Sequence, residues 1–223
     1  MLEPGVLALL LFLGTWAALD GTSVAQVMIS RPLISGSLAG IVLGVPEAGL
    51  LVGAVLEVAH LAQLPVGAAR IAEPGPAAVP AAVAAALAPG APGLALGVGI
   101  GVGWSLLGGG TMIAQRRLNG RLFEGLEEGR LAPGDVVRRH WAAVAMDAVR
   151  GFVLVGSGVI AAVGLSGSVA GSWPLDDPTT LALLLLPGAL AVGTLLRTWS
   201  LAPTRWLLLA IGVLAGVALS GLV

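Results

Sequence analysis

The chain has 223 residues, 57% hydrophobic and only 10% charged, with a mean hydropathy of +0.99 and a net charge of −1. An average soluble domain carries about 25% charged residues, so this composition points to residence in a lipid bilayer. Cysteine and lysine are absent, which excludes disulfides, thiolate metal sites and a cysteine nucleophile, and there is no basic footprint for nucleic acid.

Apolar stretches follow one another at residues 6–19, 33–45, 48–64, 77–88, 94–113, 141–165, 179–196 and 206–223. A helix crossing the hydrocarbon needs about 20 residues. Several stretches fit, whereas 33–45 and 77–88 are too short to cross alone. Short apolar segments bounded by Gly or Pro are the signature of re-entrant or broken helices, whose freed backbone groups face protein or a wet cavity. The expected fold class is therefore all-α, a polytopic membrane protein with several transmembrane helices, re-entrant or broken helices and short interfacial helices. It forms a single domain over residues 1–223. The first stretch has the length of a signal peptide, but Glu3 and the lack of an early arginine predict a retained helix.

Charge placement orients the later crossings. Residues 116–140, RRLNGRLFEGLEEGRLAPGDVVRRH, hold six arginines, and the positive-inside bias puts them in the cytoplasm. The next loop, SGSVAGSWPLDDP, carries Asp176 and Asp177 without an arginine and is expected outside. The connection bearing Arg197 and Arg205 returns inside, which leaves the C-terminus outside. Within 116–130 the glycines at 120, 125 and 129 interrupt a polar, weakly amphipathic pattern. Ala132, Pro133, Gly134 and Asp135 read as a turn and cap before the next helix. Interfacial helices are expected here, with an ordinary solvated basic loop as the alternative.

Residues 14–67 place Asp20, Gln26, Arg31, Glu57, His60 and Gln63 among apolar and glycine-rich stretches. Polar groups in lipid-like surroundings are costly, so they suggest a polar ligand or pathway. Residues three and four apart share a helix face, and Glu57, His60 and Gln63 form a polar stripe at that spacing; Trp16 and Asp20 are related in the same way. Carboxylates accept from paired hydroxyls, amides donate and accept, and an indole offers an apolar face; together they suit a neutral polyhydroxylated ligand. The alternative is that these groups satisfy one another or the broken backbone, with His60 bonded to a carbonyl and Trp16 an interfacial anchor.

A second cluster has Asp147 three residues before Arg150, with His140 seven before Asp147. An internal ion pair between Asp147 and Arg150 is the economical reading, and a proton relay is the other. No catalytic centre, metal site or cofactor site is expected: neither histidine has partners at zinc-ligand spacing, and there is no HExxH and no GxxxxGK[ST]. The runs GLALGVGIGVG and LLGGG read as packing faces, with Gly97, Gly101 and Gly108 at close helix contacts. Half-length segments also need protein surroundings, which points to a second membrane subunit.

In chain order, the LD pair, Gln26, SRPLISGSLAGIVLG and EAGLLVGAVLEVAHLAQLPVGAA resemble the IIC membrane component of the mannose/fructose/sorbose class of the phosphoenolpyruvate-dependent sugar phosphotransferase system. That family carries an RPL-x3-L-x-G-x2-LG stretch, a GA-x-LE helix and a P-x-GA turn in this order. Arg117, Asn119, Gly129, His140 and Arg150 continue the resemblance, and ALAVGTLLRTWSLAPTRWLLLAIGVLAGVAL looks like its closing pair of spans. Val45 stands where the family usually has Asp, and Ala72 and Glu73 replace its Pro-Asp pair. The resemblance implies a sugar-translocating subunit of the cell inner membrane that binds a hexose-like sugar and delivers it for phosphorylation. Its implied partners are a IID membrane subunit and IIA and IIB phosphocarriers, which carry out the phosphoryl transfer; a higher homo-oligomer is compatible with this. By position, the resemblance implies that Glu57 binds a sugar hydroxyl and that Asp20, Gln26 and Arg31 occupy the polar positions of the N-terminal motif; with His60 and Gln63 of the polar stripe, and Glu73, which retains the charge of the family's Pro-Asp pair, they are the expected substrate-binding residues. The alternative is a divergent, non-transporting scaffold or sensor that recruits phosphotransferase proteins through the Arg-rich connection.

Overall fold

A computed structural model describes residues 2–61, 72–88, 90–124, 132–169 and 172–199, with further positions at 207, 210–212 and 214. Every regular element among them is a helix. The order is α1 (Pro4–Asp20), α2 (Pro32–Val42), α3 (Pro46–His60), α4 (Pro74–Leu87), α5 (Gly90–Phe123), α6 (Pro133–Val169) and α7 (Asp177–Trp199). Five of the seven start on proline. Its fixed φ suits the first turn, and its missing N–H would have had no intrahelical partner there. Asp176 begins α7 by accepting the Thr179 N–H at 3.1 Å. Hydrogen bonds from Thr179 hold its carboxyl below the ordinary aspartate range.

The two stretches expected to be too short to cross are α2, with 11 residues, and α4, with 14. At 1.5 Å per residue they span only about 17 and 21 Å, against roughly 30 Å of hydrocarbon. Among the described residues, three helices are long and apolar enough to cross: α5, α6 and residues 177–194 of α7.

α2 and α3 form a tight hairpin closed by Gly44, whose φ of +75° favours glycine. Its two arms touch backbone to backbone. A Cβ on Gly40 would lie 2.8 Å from the Gly49 Cα, and one on Gly53 would lie 2.6 Å from the Pro32 carbonyl oxygen. α4 sits at the centre of the bundle, buried from Gly75 to Ala85. Its Ala, Val and Pro side chains allow α1, α2, α3, α5 and α6 to pack around it. Pro80 interrupts its hydrogen-bond ladder, and the ring fits against α6 at Gly158, where a Cβ would come within 2.7 Å of Pro80 Cγ.

The expected small-residue face of α5 is used inside the chain. Gly97 faces the Ala81 carbonyl, Gly101 the Leu56 side chain and Gly108 the Glu73 side chain. Large apolar side chains such as Phe152, Val153 and Ile160 on α6 and Leu181 and Leu185 on α7 point outward, as an apolar solvent requires.

α5 and α6 have 34 and 37 residues, about 51 and 56 Å at 1.5 Å per residue, so both outrun the hydrocarbon. The Arg-rich stretch differs here from its expected form. Residues 116–123 are the last turns of α5 and residues 133–140 the first turns of α6, rather than separate interfacial helices. Gly120 does not break α5, because continued hydrogen bonding outweighs one glycine's modest cost. Arg139 also donates to the Leu122 carbonyl and ties the two ends together. Residues 125–131, with Gly125 and Gly129, and most of the last apolar stretch lie outside the described residues.

Candidate functional site

The α1–α2 connection is irregular, with positive φ at Ala25, Gln26 and Met28. Such conformations cost non-glycine residues of order 1 kcal/mol or more each and persist only when neighbours impose them. Asp20, 2% exposed at the end of α1, imposes this one: its carboxylate accepts the Val27 N–H at 2.5 Å and the Ser30 N–H at 2.9 Å.

Below this connection the C-terminal ends of α1 and α3 meet the N-terminal ends of α2 and α4 against α5. The helix ends leave a cavity of about 450 Å³. Its polar wall comes from Thr22, Ser30, Arg31, Glu57, His60, Glu73 and Arg116. Its apolar wall includes Pro32, Leu61, Pro74, Pro76, Met112 and Ile113.

Glu57 forms an ion pair with Arg31 and accepts the Leu33 N–H at 3.3 Å in the first turn of α2. The Glu57 side chain is 13% exposed and that of Arg31 is 51% exposed. One partner therefore stays close to solvent while the other is held inside. One turn on, His60 Nδ1 bonds the Leu56 carbonyl at 2.7 Å and Nε2 meets the Ser105 hydroxyl at 3.2 Å. Ser105 also receives, on its carbonyl, the Glu73 N–H at 2.9 Å, so one serine of α5 joins the end of α3 to the start of α4.

Glu73 belongs to a buried charge network. Arg150 Nη1 donates to Glu73 Oε2 at 2.6 Å and Nη2 donates to Oε1 at 3.0 Å. Nη1 also donates to the Thr111 hydroxyl at 3.1 Å, while Nε donates to Asp147 Oδ1 at 2.9 Å. The other Asp147 oxygen accepts the Thr22 and Ser23 hydroxyls at 2.7 and 2.5 Å. Two carboxylates thus share one guanidinium, and the excess negative charge is offset by hydroxyl donors, as burial demands.

Of the residues expected at the site, Arg31, Glu57, His60 and Glu73 come together on one cavity wall. Asp20 braces the connection above without lining the cavity. Gln26 is exposed on that connection, and Gln63 lies outside the described residues. The Asp147–Arg150 pair is formed, and it reaches the cavity through Glu73. His140 is exposed and packs edge-on against Trp141, apart from that network. Trp16 likewise packs against Phe12 on an exposed face. Sequence reasoning missed Thr22, Ser30 and Met112 and assigned Arg116 only to the basic connection. Two hydroxyls and a methionine carry no local signal, whereas Arg116 was detectable as the arginine nearest the apolar part of α5.

The family model described as PTS system sorbose-specific IIC component matches residues 6–169, which include every described residue of the cavity and of the charge network. No curated protein matches the chain. A solved structure titled "Structure of membrane protein" aligns with a TM-score of 0.66 at 17% identity, covering 99% of this chain and 95% of that one. This second likeness concerns the fold alone.

Proposed function

Because the chain belongs to the sorbose-specific IIC components of the sugar phosphotransferase system, we propose that the cavity between α1–α5 binds a neutral, hexose-like sugar and presents it for phosphorylation by a IIB partner. The observation that carries this reading is the cavity itself. Its volume of about 450 Å³ falls within the roughly 300–1,000 Å³ typical of small-molecule sites. Its wall offers carboxylates that accept from hydroxyls, and two arginines and a histidine that complete the polar set.

Charge balance favours a neutral ligand. Arg31 is matched by Glu57, and the single negative charge that Glu73 and Asp147 leave around Arg150 is offset by Arg116 on the cavity wall, so the formal charges at the site sum to zero. Arg116 lines the cavity and also opens the Arg-rich stretch. With that stretch in the cytoplasm of an inner-membrane protein, the cavity lies towards the side where a phosphocarrier would act. The short helices and outward apolar faces suit a separately encoded IID subunit, which would complete the sugar path. Asp20 and Gln26 would then act through the connection they belong to rather than by direct contact.

The test is phosphorylation-coupled uptake of sorbose, fructose and mannose in cells with and without this gene, its phosphotransferase partners present in both. Gene-dependent accumulation of sugar phosphate is expected. Accumulation that is the same without the gene would support a scaffold or sensor role instead.

A further inference from the structure

We propose that Asp147 and Arg150 are positioning residues that set the spacing between Thr22 and Glu73 across the cavity wall, and so determine which hexose is accepted; this rests on the sugar-binding reading above. Thr22 and Glu73 both line the cavity, from the end of α1 and the start of α4, whereas Asp147 and Arg150 do not. Behind the wall the four are joined in one chain: Thr22 to Asp147 at 2.7 Å, Asp147 to Arg150 at 2.9 Å, and Arg150 to Glu73 at 2.6 and 3.0 Å.

The link is rigid. All three Arg150 nitrogens are engaged, and the guanidinium is planar, so the two carboxylates are held in a fixed relation. The side chains of Asp147, Arg150 and Glu73 are 4, 8 and 13% exposed. Glu73 is further confined by Gly108, where a Cβ would lie 2.9 Å from Glu73 Cβ and 3.0 Å from Oε2. Thr22 opens a connection with left-handed residues; its N–H bonds the Leu19 carbonyl at 3.1 Å, and Asp147 sets the direction of its hydroxyl at 2.7 Å, in competition with the Ala18 carbonyl at 3.2 Å.

A carboxylate has about four lone-pair positions, and the fork from Arg150 occupies two. The remaining two can accept ligand hydroxyls in directions that Arg150 dictates. Sites built to hydrogen-bond a particular hydroxyl reject analogues that misplace it, because buried polar groups are then left unpaired. A merely structural ion pair would affect all sugars alike.

The experiment compares Arg150→Lys and Ser23→Ala with wild type in cells containing the partner subunits, measuring kcat/KM for phosphorylation-coupled uptake of sorbose, fructose and mannose at matched membrane levels. Lysine keeps the buried charge but loses the fork. Ser23→Ala removes one donor to Asp147, together with that hydroxyl's 3.1 Å contact to the Thr22 hydroxyl, without replacing a residue of the cavity wall. Arg150→Lys is expected to raise KM more than it lowers kcat and to change the ratio between the best and next-best sugar about tenfold. Ser23→Ala should shift the ratio in the same direction by less. Equal losses for every sugar, or an unchanged ratio in both variants, would overturn the proposal. If Arg150→Lys fails to reach the membrane, an unchanged ratio in Ser23→Ala is enough to overturn it. Wild type that takes up none of the sugars would instead remove the sugar-binding reading, and the proposal with it.

Discussion

Arg150 grips both carboxylate oxygens of Glu73 across 77 positions of sequence, at 2.6 and 3.0 Å, and so attaches α6 to the N-terminus of the central helix α4. The expected Asp147–Arg150 pair becomes one half of a three-membered network. Substitutions at the shared cation and at Asp147 then differ in consequence. Arg150→Ala leaves both carboxylates buried without their cation, whereas Asp147→Asn leaves Arg150 still held by Glu73. Removing one partner of a buried pair costs about 3–5 kcal/mol, so Arg150→Ala should sharply lower yield and melting temperature in detergent. Asp147→Asn should lower them less. The reverse order would show that Glu73 is not the main partner.

The α2–α3 hairpin depends on glycine at its contact faces. Gly53→Ala would put a methyl 2.6 Å from the Pro32 carbonyl oxygen, where backbone cannot give way cheaply, at a cost of about 1–3 kcal/mol. Gly99→Ala on α5 meets nothing within 4 Å and should be neutral or stabilise by up to about 1 kcal/mol through helix propensity. Thermal melting of the two variants checks the contrast.

Much of the fold was legible in the sequence because its signals are local. Proline starts and apolar runs located α2 and α4, and their lengths alone marked them as incomplete crossings. Three-residue spacing set Glu57 and His60 on one helix face and Asp147 beside Arg150, as they lie in the structure. The union of Glu73 with Arg150 was not legible, since periodicity says nothing about partners so far apart in the chain. The left-handed residues Ala25, Gln26 and Met28 were equally hidden, because none is a type that favours that conformation. The Arg-rich stretch misled in detail: polarity marks where a helix leaves the bilayer, but not whether it ends there.

Topology can be tested directly in a chain without natural cysteine. Ser172 is exposed between α6 and α7, and Gly120 is exposed with open space for a side chain. With the Arg-rich end inside, an impermeant maleimide on intact cells should label Ser172→Cys and spare Gly120→Cys until the cells are opened. Labelling of Gly120→Cys alone in intact cells would invert the orientation.

The short helices and apolar exterior also lead to an expectation about assembly. In mild detergent the protein should co-purify with a separately encoded integral membrane subunit and lose stability without it. Mass spectrometry of the affinity-purified complex identifies the partner. A stable monomer that binds sugar alone would instead indicate a self-sufficient carrier.

The central claim, that this cavity holds the sugar, is tested most directly at Glu57. Arg31 is half-exposed and remains solvated when its partner loses charge, and a neutral amide is cheaper to bury than a carboxylate. Glu57→Gln should therefore insert normally and melt near wild type. The measurement is phosphorylation-coupled sugar uptake by Glu57→Gln at a membrane level matched to wild type. The account predicts uptake abolished or reduced at least about tenfold; uptake equal to wild type would contradict it.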